Sequence, residues 1–234
     1  MKAAWYEKTG EAQTVLQIGE LDNPVPNKGE VLVQLKTSGI NPSDVKTRAG
    51  ARGELQFPKI IPHSDGAGTI VDVGEGVDKN RIGERVWIWN GAFGRAFGTC
   101  AELISLPEFQ AAKISDSVDF KSAACIGIPA STAYYGIFAN GSVKNKTVLI
   151  SGGAGAVGFY GIQLAKLSGA NVISTISSDE KGEVAQEAGA DKVINYKNED
   201  VVEEIMNYTE NKGVDRIFEV EFGGNLSINE KVLK

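Results

Sequence analysis

Hydrophobic and polar positions follow different periods in the two halves of the chain. Between residues 30 and 37, apolar and polar side chains alternate, which is typical of a half-buried β-strand. Residues 69–73 and 85–89 are further strand candidates, and turns rich in Pro and Gly separate these segments. Residues 1–121 are therefore predicted to form a β-rich domain, built as a small barrel or sandwich.

From residue 122 onwards, strand patterns alternate with helical patterns. Short apolar runs predict buried strands, and the segments between them have helical periodicity. The predicted strands are 147–150, 171–176, 192–195 and 214–220, and the predicted helices are 123–139 (with a break or kink at Pro129), 159–168, 179–188 and 199–207. Strands separated by helices imply right-handed crossovers and a parallel sheet. Residues 122–234 are therefore predicted to form a doubly wound α/β domain.

This α/β domain has fewer strands than its class usually contains. A doubly wound dinucleotide-binding sheet normally has six strands, and the sequence supplies four before Lys234. After Val220 we predict neither a closing strand nor a terminal helix of any strength. Either the sheet is unusually small or the sequence is a piece of a longer protein, and we favour the second interpretation.

Composition and charge narrow the class of protein. Of the 234 residues, 42% are hydrophobic and 23% are charged, and the formal net charge is -6, which argues against nucleic acid as the main partner. No apolar run approaches the length of a membrane span, and the N-terminus does not resemble a signal peptide. Cys100 and Cys125 form no Cys-x-x-Cys pair and are expected to be buried thiols in a reducing compartment. These features predict a cytoplasmic protein.

The most specific chemical motif lies between the first strand and the first helix of the parallel sheet. It is Gly-x-Gly-x-x-Gly at Gly153, Gly155 and Gly158, directly after the strand at 147–150. Glycines let the backbone turn sharply and approach a pyrophosphate, whose charge is bound by N–H groups at the helix N-terminus. In this context the motif predicts a dinucleotide site, and a turn without a ligand is the alternative.

The residues after the second predicted strand of the sheet bear on the choice of cofactor. Asp179 lies near the spacing at which a carboxylate binds the ribose of NAD. Ser177 and Glu180 form a Ser-x-x-Glu pattern, which explains the acidic residues as a capping box at a helix start. The hydroxyls of Ser177 and Ser178, with the charge of Lys181, suit a 2′-phosphate. The sequence therefore favours NADPH and leaves NADH open through Asp179.

Most aromatic side chains are interpreted as packing residues. Tyr134 and Tyr135 lie in an apolar helical segment, and Trp87 and Trp89 share one face of a strand. All four are expected in the core. His63 is expected to be a structural residue and not a general acid.

Several segments occur in the order known from one family. They are SGINPSD (38–44), HSDGAG (63–68), GERV (83–86), IPASTAY (128–134), the glycine motif and VINY (193–196). On these segments the chain resembles the zinc-independent quinone oxidoreductases (zeta-crystallin-like) of the medium-chain dehydrogenase/reductase superfamily. The resemblance covers nearly the whole chain. It implies a GroES-like domain followed by a Rossmann domain whose C-terminal part lies beyond Lys234.

The same resemblance implies roles for individual residues. Asn41 and Asp44 are expected to lie near the nicotinamide and the substrate as catalytic residues. Lys181 and Tyr196, with Ser177, are expected to contact the 2′-phosphate. The cofactor-binding residues expected from the motif and the resemblance are Thr132, Gly152, Gly153, Ala154, Gly155, Ala156, Val157, Gly158, Ser177, Ser178, Lys181 and Tyr196.

The sequence departs from the zinc-dependent relatives. Asn41 stands where those proteins have a Cys, Ser64 and Asp65 stand in place of a His-Glu pair, and His63 is displaced by one position from the ligand. Tetrahedral zinc needs three or four ligands at suitable spacing, so no metal site is predicted. Lys46 also stands where many quinone reductases have Tyr, which leaves the proton donor and the preferred acceptor open.

Together these features predict an NADPH-dependent oxidoreductase that transfers hydride to a quinone or another activated enone without zinc. The cofactor carries the chemistry, and Asn41 is expected to donate a hydrogen bond to the developing oxyanion. Two alternatives remain, namely reduction of enoyl thioesters or alkenals on the same fold and binding of NADPH without catalysis. The partner is expected to be a small molecule, with no membrane involved. The family is usually homodimeric, but the sequence does not fix the oligomeric state.

Overall fold

Residues 1–234 are described by a computed structural model, in which the chain divides into two compact units. The first unit comprises residues 1–128 and the second comprises residues 129–234. The first unit is rich in strands, whereas strands and helices alternate in the second. The predicted fold class is therefore confirmed.

A five-stranded antiparallel sheet forms the centre of the first unit. The strands of the unit are β1 (Lys2–Trp5), β2 (Gln17–Glu20), β3 (Glu30–Gly39), β4 (Asp65–Val73), β5 (Arg85–Ile88), β6 (Leu103–Pro107) and β7 (Ala111–Lys113). The large sheet has the order β6-β3-β4-β5-β7, and β1 pairs with β2. The alternation predicted for β3 is present, because Val31 and Val33 are fully buried and pack with Ile70, Val86 and Ile88.

The helices of the first unit are short. They are α1 (Ala12–Val15), α2 (Pro42–Arg48) and α3 (Phe120–Ala123), and α4 (Gly127–Phe138) begins at the end of the unit. The helix predicted over 123–139 is therefore shorter at its start, and the break predicted at Pro129 is not observed, because α4 runs continuously through this residue. Pro129 lies in the first turn of α4, where its missing N–H group is not needed for a helical hydrogen bond.

The second unit contains a parallel sheet covered by helices. Its elements are β8 (Thr147–Ile150), α5 (Ala156–Leu167), β9 (Asn171–Ile176), α6 (Asp179–Glu187), β10 (Lys192–Asn195), α7 (Val201–Tyr208), β11 (Arg216–Phe218) and α8 (Phe222–Val232). The four strands are parallel in the order β10-β9-β8-β11. The strand order therefore reverses at β8. In sheets of this kind, ligands bind beyond the carboxyl ends of the strands at such a switch point.

Both faces of this sheet are buried. Val148 and Ile150 of β8 pack with Ile162 of α5 on one face, whereas Leu149 packs with Ile205 of α7 on the other. Two covered faces explain why the strand reads as a continuous apolar run instead of an alternating one. None of the helices combines the length and the apolar character that crossing a membrane requires.

The predicted and observed elements differ most around α5 and at the end of the chain. Helix α5 begins three positions before the predicted start at residue 159, because the last glycine of the motif lies within its first turn. The expectation of no terminal helix of any strength is wrong, since α8 covers residues 222–232. Gly223 and Gly224 lower its helix propensity. Packing of Ile228 and Val232 against the sheet stabilises it nevertheless.

Two expectations about side-chain burial are also wrong. Tyr134 and Tyr135 are 61% and 76% exposed, because Ala133 and Ile137, four positions apart, form the buried side of α4. Cys125 is exposed and Cys100 is only partly buried.

Trp87 lies on the other side of β5 from the main core, and Trp89 follows the end of that strand. Val86 and Ile88 are fully buried, whereas Trp87 and Trp89 are only partly buried. Trp87 packs with Ala67 in a smaller cluster. The face of β5 that carries Trp87 does not contribute to the main core.

Candidate functional site

The loop between β8 and α5 leaves no space for side chains at two of its glycines. A Cβ atom at Gly158 would lie 2.3 Å from the carbonyl oxygen of Gly152, and one at Gly153 would lie 2.1 Å from Ser174 Oγ. Gly152 itself has a φ of +66°, which residues with a side chain rarely adopt. These contacts bring the first turn of α5 close to the end of β8.

Both sides of the glycine loop are tied to neighbouring strands. On the β9 side, the N–H groups of Gly152 and Gly153 donate to Oγ1 and to the carbonyl oxygen of Thr175, each at 3.2 Å. On the β11 side, Ser151 Oγ donates to Glu219 Oε2 at 2.9 Å. These groups therefore hold the loop in place, and the N–H groups of Gly152 and Gly153 are engaged within the protein.

The N–H groups with capacity for a ligand belong to the first turn of α5. Gly155 precedes the helix and has no side chain to cap it. The N–H groups of Ala156, Val157 and Gly158 have no acceptor within the protein. The helix dipole adds partial positive charge at this end. The turn can therefore bind a phosphate group through backbone donors.

The second group of expected cofactor residues lies at the carboxyl end of β9. Ser178 is the N-cap of α6, and its Oγ accepts a hydrogen bond from the Lys181 N–H at 3.4 Å. The predicted capping box of Ser177 and Glu180 is therefore wrong, because the cap is Ser178 and the residue three positions after it is Lys181. Ser177 Oγ instead accepts a hydrogen bond from Lys181 Nζ at 2.8 Å. A hydroxyl and an ammonium group are therefore paired beside the sheet.

The two acidic residues of this segment have their own partners. Asn195 Nδ2 donates to Asp179 Oδ1 at 3.3 Å. A hydrogen bond with the side chain of Ser178 lowers the pKa of the Glu180 carboxyl. Each of the two carboxylates therefore has a hydrogen-bond partner within the protein.

Tyr196 and Thr132 complete the expected cofactor set. The Tyr196 N–H donates to the carbonyl oxygen of Ile176 at 3.1 Å, so its backbone adjoins the end of β9, and its side chain is 52% exposed. Thr132 is exposed on α4, and the hydrogen bonds of the glycine loop do not involve it. The backbone pairing thus brings Tyr196 next to Ser177, whereas Thr132 forms no hydrogen bond with the loop.

The two expected catalytic residues lie in the first unit at the start of α2. Asn41 is buried, and its Nδ2 donates to Asp65 Oδ2 at 2.8 Å. The Asn41 backbone N–H donates to Asp44 Oδ2 at 2.8 Å. Asp65 Oδ1 also accepts the N–H of Ile128 at 2.9 Å. Sequence reasoning missed this role of Asp65, for which the only signal was its position in the segment 63–68.

Burial raises the pKa of both carboxyl groups in this cluster. For Asp65, the hydrogen bonds from Asn41 and Ile128 lower the pKa but do not outweigh desolvation. For Asp44, desolvation likewise outweighs the hydrogen bond from Asn41. A carboxamide has two N–H donors, and one of those on Asn41 is used by Asp65. The other is available for an oxygen atom of a ligand.

The donors around this cluster do not fit a zinc site. No three His, Cys, Asp or Glu side chains are placed so that they could hold one metal ion. His63 Nδ1 lies 2.9 Å from Ser38 Oγ, and desolvation lowers its pKa. The Asp65 carboxylate is already bonded to Asn41 and Ile128. Tetrahedral zinc requires three or four such ligands, which these residues do not supply.

Glu219, at the end of β11, is a further residue that sequence reasoning missed. Its carboxylate accepts hydrogen bonds from Ser151 at the start of the glycine loop and from Asn225 and Asn229 of α8. The available signal was an acidic residue close to the carboxyl end of a strand in a parallel sheet, where ligands bind.

A parallel sheet with a glycine turn and unpaired helix N–H groups at its switch point defines a dinucleotide-binding α/β protein. Residues 27–143 match the family described as alcohol dehydrogenase GroES-like domain, and residues 156–225 match the family described as zinc-binding dehydrogenase. The chain therefore belongs to the medium-chain dehydrogenase/reductase superfamily, as the resemblance indicated.

Quinone oxidoreductases are among its relatives. The Homo sapiens quinone oxidoreductase is 28% identical over 228 residues, which cover 97% of this chain and 68% of that protein. The Rattus norvegicus quinone oxidoreductase is 31% identical over 211 residues, which cover 90% of this chain and 63% of that protein. The structure of Escherichia coli quinone oxidoreductase complexed with NADPH has a TM-score of 0.85 and 27% identity, and the match covers 100% of this chain and 70% of that one.

Proposed function

We propose that this chain binds NADPH and transfers hydride to a quinone or another activated enone without zinc. The observation that carries the proposal is the pairing of Ser177 with Lys181 at the end of β9, in the same sheet whose switch point presents the N–H groups of α5. The first feature suits a 2′-phosphate and the second suits a pyrophosphate. The NADPH complex of the Escherichia coli relative supports this assignment.

The charges at the end of β9 favour NADPH over NADH. The ribose hydroxyls of NAD are normally bound by a carboxylate acceptor, whereas a 2′-phosphate needs positive charge and donors. The nearest candidate acceptor, Asp179, bonds to Asn195. Lys181 and the hydroxyl of Ser177 then form the phosphate position, with Ser178 adjacent to it. Tyr196 and Thr132 are assigned as further cofactor contacts.

The catalytic role is assigned to the cluster around Asn41. When bound, NADPH supplies the hydride, and the reduced acceptor takes up a proton from water. Asn41 donates its remaining Nδ2–H group to the oxyanion that develops on the acceptor. Asp65 fixes the carboxamide through the other N–H group, and Asp44 fixes the Asn41 backbone at the start of α2. Because these donors are held before the reaction, they need no reorganisation during it.

Fluorescence titration of the 1–234 chain with NADPH and with NADH tests the choice of cofactor. Lys181→Ala is expected to weaken NADPH binding about tenfold, because one charge-assisted hydrogen bond is lost, and to leave NADH binding unchanged. Lys212→Ala is the matched control, since that ammonium group pairs with Glu210 at the surface. Equal affinity of the wild type for both cofactors would contradict the preference and indicate Asp179 as the ribose ligand.

A panel of quinones and enones tests the reaction. Asn41→Ala is expected to lower kcat about 100-fold through loss of an oxyanion donor, with the Kd of NADPH unchanged. Unchanged turnover of every acceptor would show that Asn41 has no such role. NADPH that binds to the wild type but is oxidised by no acceptor would indicate a binding protein without catalysis.

A further inference from the structure

We propose that Glu219 is a positioning residue for the dinucleotide and acts through Ser151 on the glycine loop. This inference deepens the proposed function and rests on it. In the parallel pairing of β11 with β8, Phe218 lies opposite Ile150. Glu219 and Ser151 are the residues that directly follow these two strands. The carboxylate and the start of the loop therefore lie side by side at the switch point.

The Glu219 carboxylate accepts five hydrogen bonds, and every partner is a donor. On Oε2 these come from Ser151 Oγ at 2.9 Å and Asn229 Nδ2 at 3.0 Å, and on Oε1 from the N–H groups of Val220 at 2.9 Å and Glu221 at 2.8 Å and from Asn225 Nδ2 at 3.1 Å. Such a set requires an acceptor with two oxygen atoms, which an ionised carboxylate provides. A glutamine would present an NH₂ group to some of these donors.

The charge of Glu219 is retained and is stabilised by hydrogen-bond donors of the protein itself. Burial alone would raise the pKa of Glu219, but hydrogen bonds from Asn229, Glu221, Ser151 and Asn225 outweigh it and hold the pKa below its ordinary value. A negative charge beside a pyrophosphate site would repel the ligand unless donors compensated it. The role that fits this arrangement is therefore geometric.

Ser151 is the side chain that connects Glu219 to the loop. It is 5% exposed, and its N–H group donates to the carbonyl oxygen of Phe218 at 3.1 Å. With Gly152 and Gly153 held by Thr175, the loop is attached to β11 on one side and to β9 on the other. Loss of the Glu219 contact would leave the loop attached by side-chain hydrogen bonds on the β9 side only. The first turn of α5, which presents the unpaired N–H groups, follows directly in the chain.

The test compares Glu219→Gln, Ser151→Ala, their double variant and Asn225→Ala by NADPH titration of the full 234-residue chain. Each of the first two is expected to raise the Kd about tenfold, because each removes a hydrogen bond to a charged group. The Kd of the double variant should not exceed the larger of the two single-variant Kd values, since both changes remove the same contact. Asn225→Ala is the matched control, because it removes a donor to the same carboxylate from α8 and leaves the loop contact in place. Its Kd should equal that of the wild type.

Hydrogen exchange without cofactor provides an independent readout. The amides of Gly152 and Gly153 are expected to exchange faster in Glu219→Gln and Ser151→Ala than in Asn225→Ala or the wild type, because the loop opens more often. Glu219→Asp keeps the charge and should restore slow exchange at least in part. If Glu219→Gln does not fold, Ser151→Ala tests the same contact from the other side.

The outcomes separate this inference from the proposed function. If the wild type binds NADPH but the Glu219 and Ser151 variants lower only the melting temperature, with the Kd and the loop exchange unchanged, Glu219 is merely structural and the inference is overturned. Additive effects of the two substitutions would also overturn it. A wild type that binds neither NADPH nor NADH would overturn the proposed function and this inference with it.

Discussion

The carboxamide of Asn41 donates a hydrogen bond of 2.8 Å to the carboxylate of Asp65, and the two residues are only 5% and 1% exposed. Asn41 supplies the side-chain donor to Asp65, and Ile128 supplies a backbone donor. Burial nevertheless raises the pKa of Asp65. The two side chains are therefore coupled, because removal of Asn41 would leave a buried carboxylate with less compensation for its lost hydration.

Asn41→Leu is expected to destabilise the chain by about 3 kcal/mol at neutral pH, because a buried charge loses its side-chain partner. The pKa of Asp65 should then rise further. The folded state would bind the proton more tightly than the unfolded chain, so the stability contributed by this group falls as pH rises through the raised pKa. Urea unfolding between about pH 4 and pH 8 measures this effect. The difference in free energy of unfolding between the wild type and the variant should grow with pH. A difference that does not change with pH would contradict the coupling of Asn41 to Asp65.

A pair of glycine substitutions separates steric fit from helix propensity. In Gly158→Ala, the new Cβ would lie 2.3 Å from a backbone oxygen of Gly152, so the loop must move. We expect the free energy of unfolding to fall by about 1–3 kcal/mol, because overpacking outweighs the gain in helix propensity. NADPH binding should weaken as well. In Gly182→Ala, within α6, the nearest atom is Val193 Cγ1 at 3.7 Å. This variant should be stabilised by about 0.5–1 kcal/mol.

Thermal unfolding of both glycine variants, with NADPH titration, decides between these effects. Shifts of opposite sign in the melting temperature are expected, with unchanged affinity for Gly182→Ala. If Gly158→Ala were as stable as the wild type, the close contact between the first turn of α5 and Gly152 would not constrain the loop.

The sheet of the second unit was predictable because its strands are buried on both faces. β8, β9 and β10 have the predicted bounds, since each contains apolar β-branched residues next to a turn signal. The outward position of Tyr134 was not predictable, because α4 is apolar on several sides and its periodicity does not indicate which side is buried. The hydrogen bond from Ser151 to Glu219 joins residues 68 positions apart. Only the alignment of β8 with β11 brings them together, and no local pattern encodes that alignment.

The cap of α6 shows a further limit of sequence reasoning. Ser177 and Ser178 are adjacent and both are good N-cap residues. The choice between them depends on where β9 ends, which the sequence fixes only to within a few residues. The structure assigns the cap to Ser178, and this leaves Ser177 paired with Lys181. Of the two roles predicted for Ser177, a cap and a phosphate ligand, the structure thus rules out the first.

Glu219→Gln should also change the dependence of stability on pH. The folded-state pKa of Glu219 lies below its ordinary value of 4.5. Such a group stabilises the folded state above the unfolded pKa, and this contribution is lost as pH falls through the folded pKa. The stability difference between wild type and variant should therefore be largest near neutral pH and shrink below about pH 4.5. Urea unfolding over this range measures it, and a difference independent of pH would show that the charge of Glu219 is not involved.

Arg216 of β11 binds the carbonyl groups at the end of α4. Its guanidinium donates to the carbonyl oxygens of Ile137, of Asn140 at 2.8 Å and of Gly141 at 3.0 Å. The last carbonyl groups of a helix lack partners within the helix and carry partial negative charge, so a cation here is favourable. A guanidinium has five donors in a planar fork, whereas an ammonium is a point charge that cannot reproduce this geometry.

Arg216→Lys is therefore expected to lower the free energy of unfolding by about 1–2 kcal/mol, although the charge is kept. Arg216→Ala should lower the free energy of unfolding further, since all three carbonyl groups then lose their partner. Denaturant unfolding measures both differences, and amide exchange near residues 139–141 should increase in the same order. If Arg216→Lys matched the wild type, charge alone would stabilise the end of α4 and the fork geometry would contribute nothing. If Arg216→Ala also matched it, hydration would satisfy these carbonyl groups equally well.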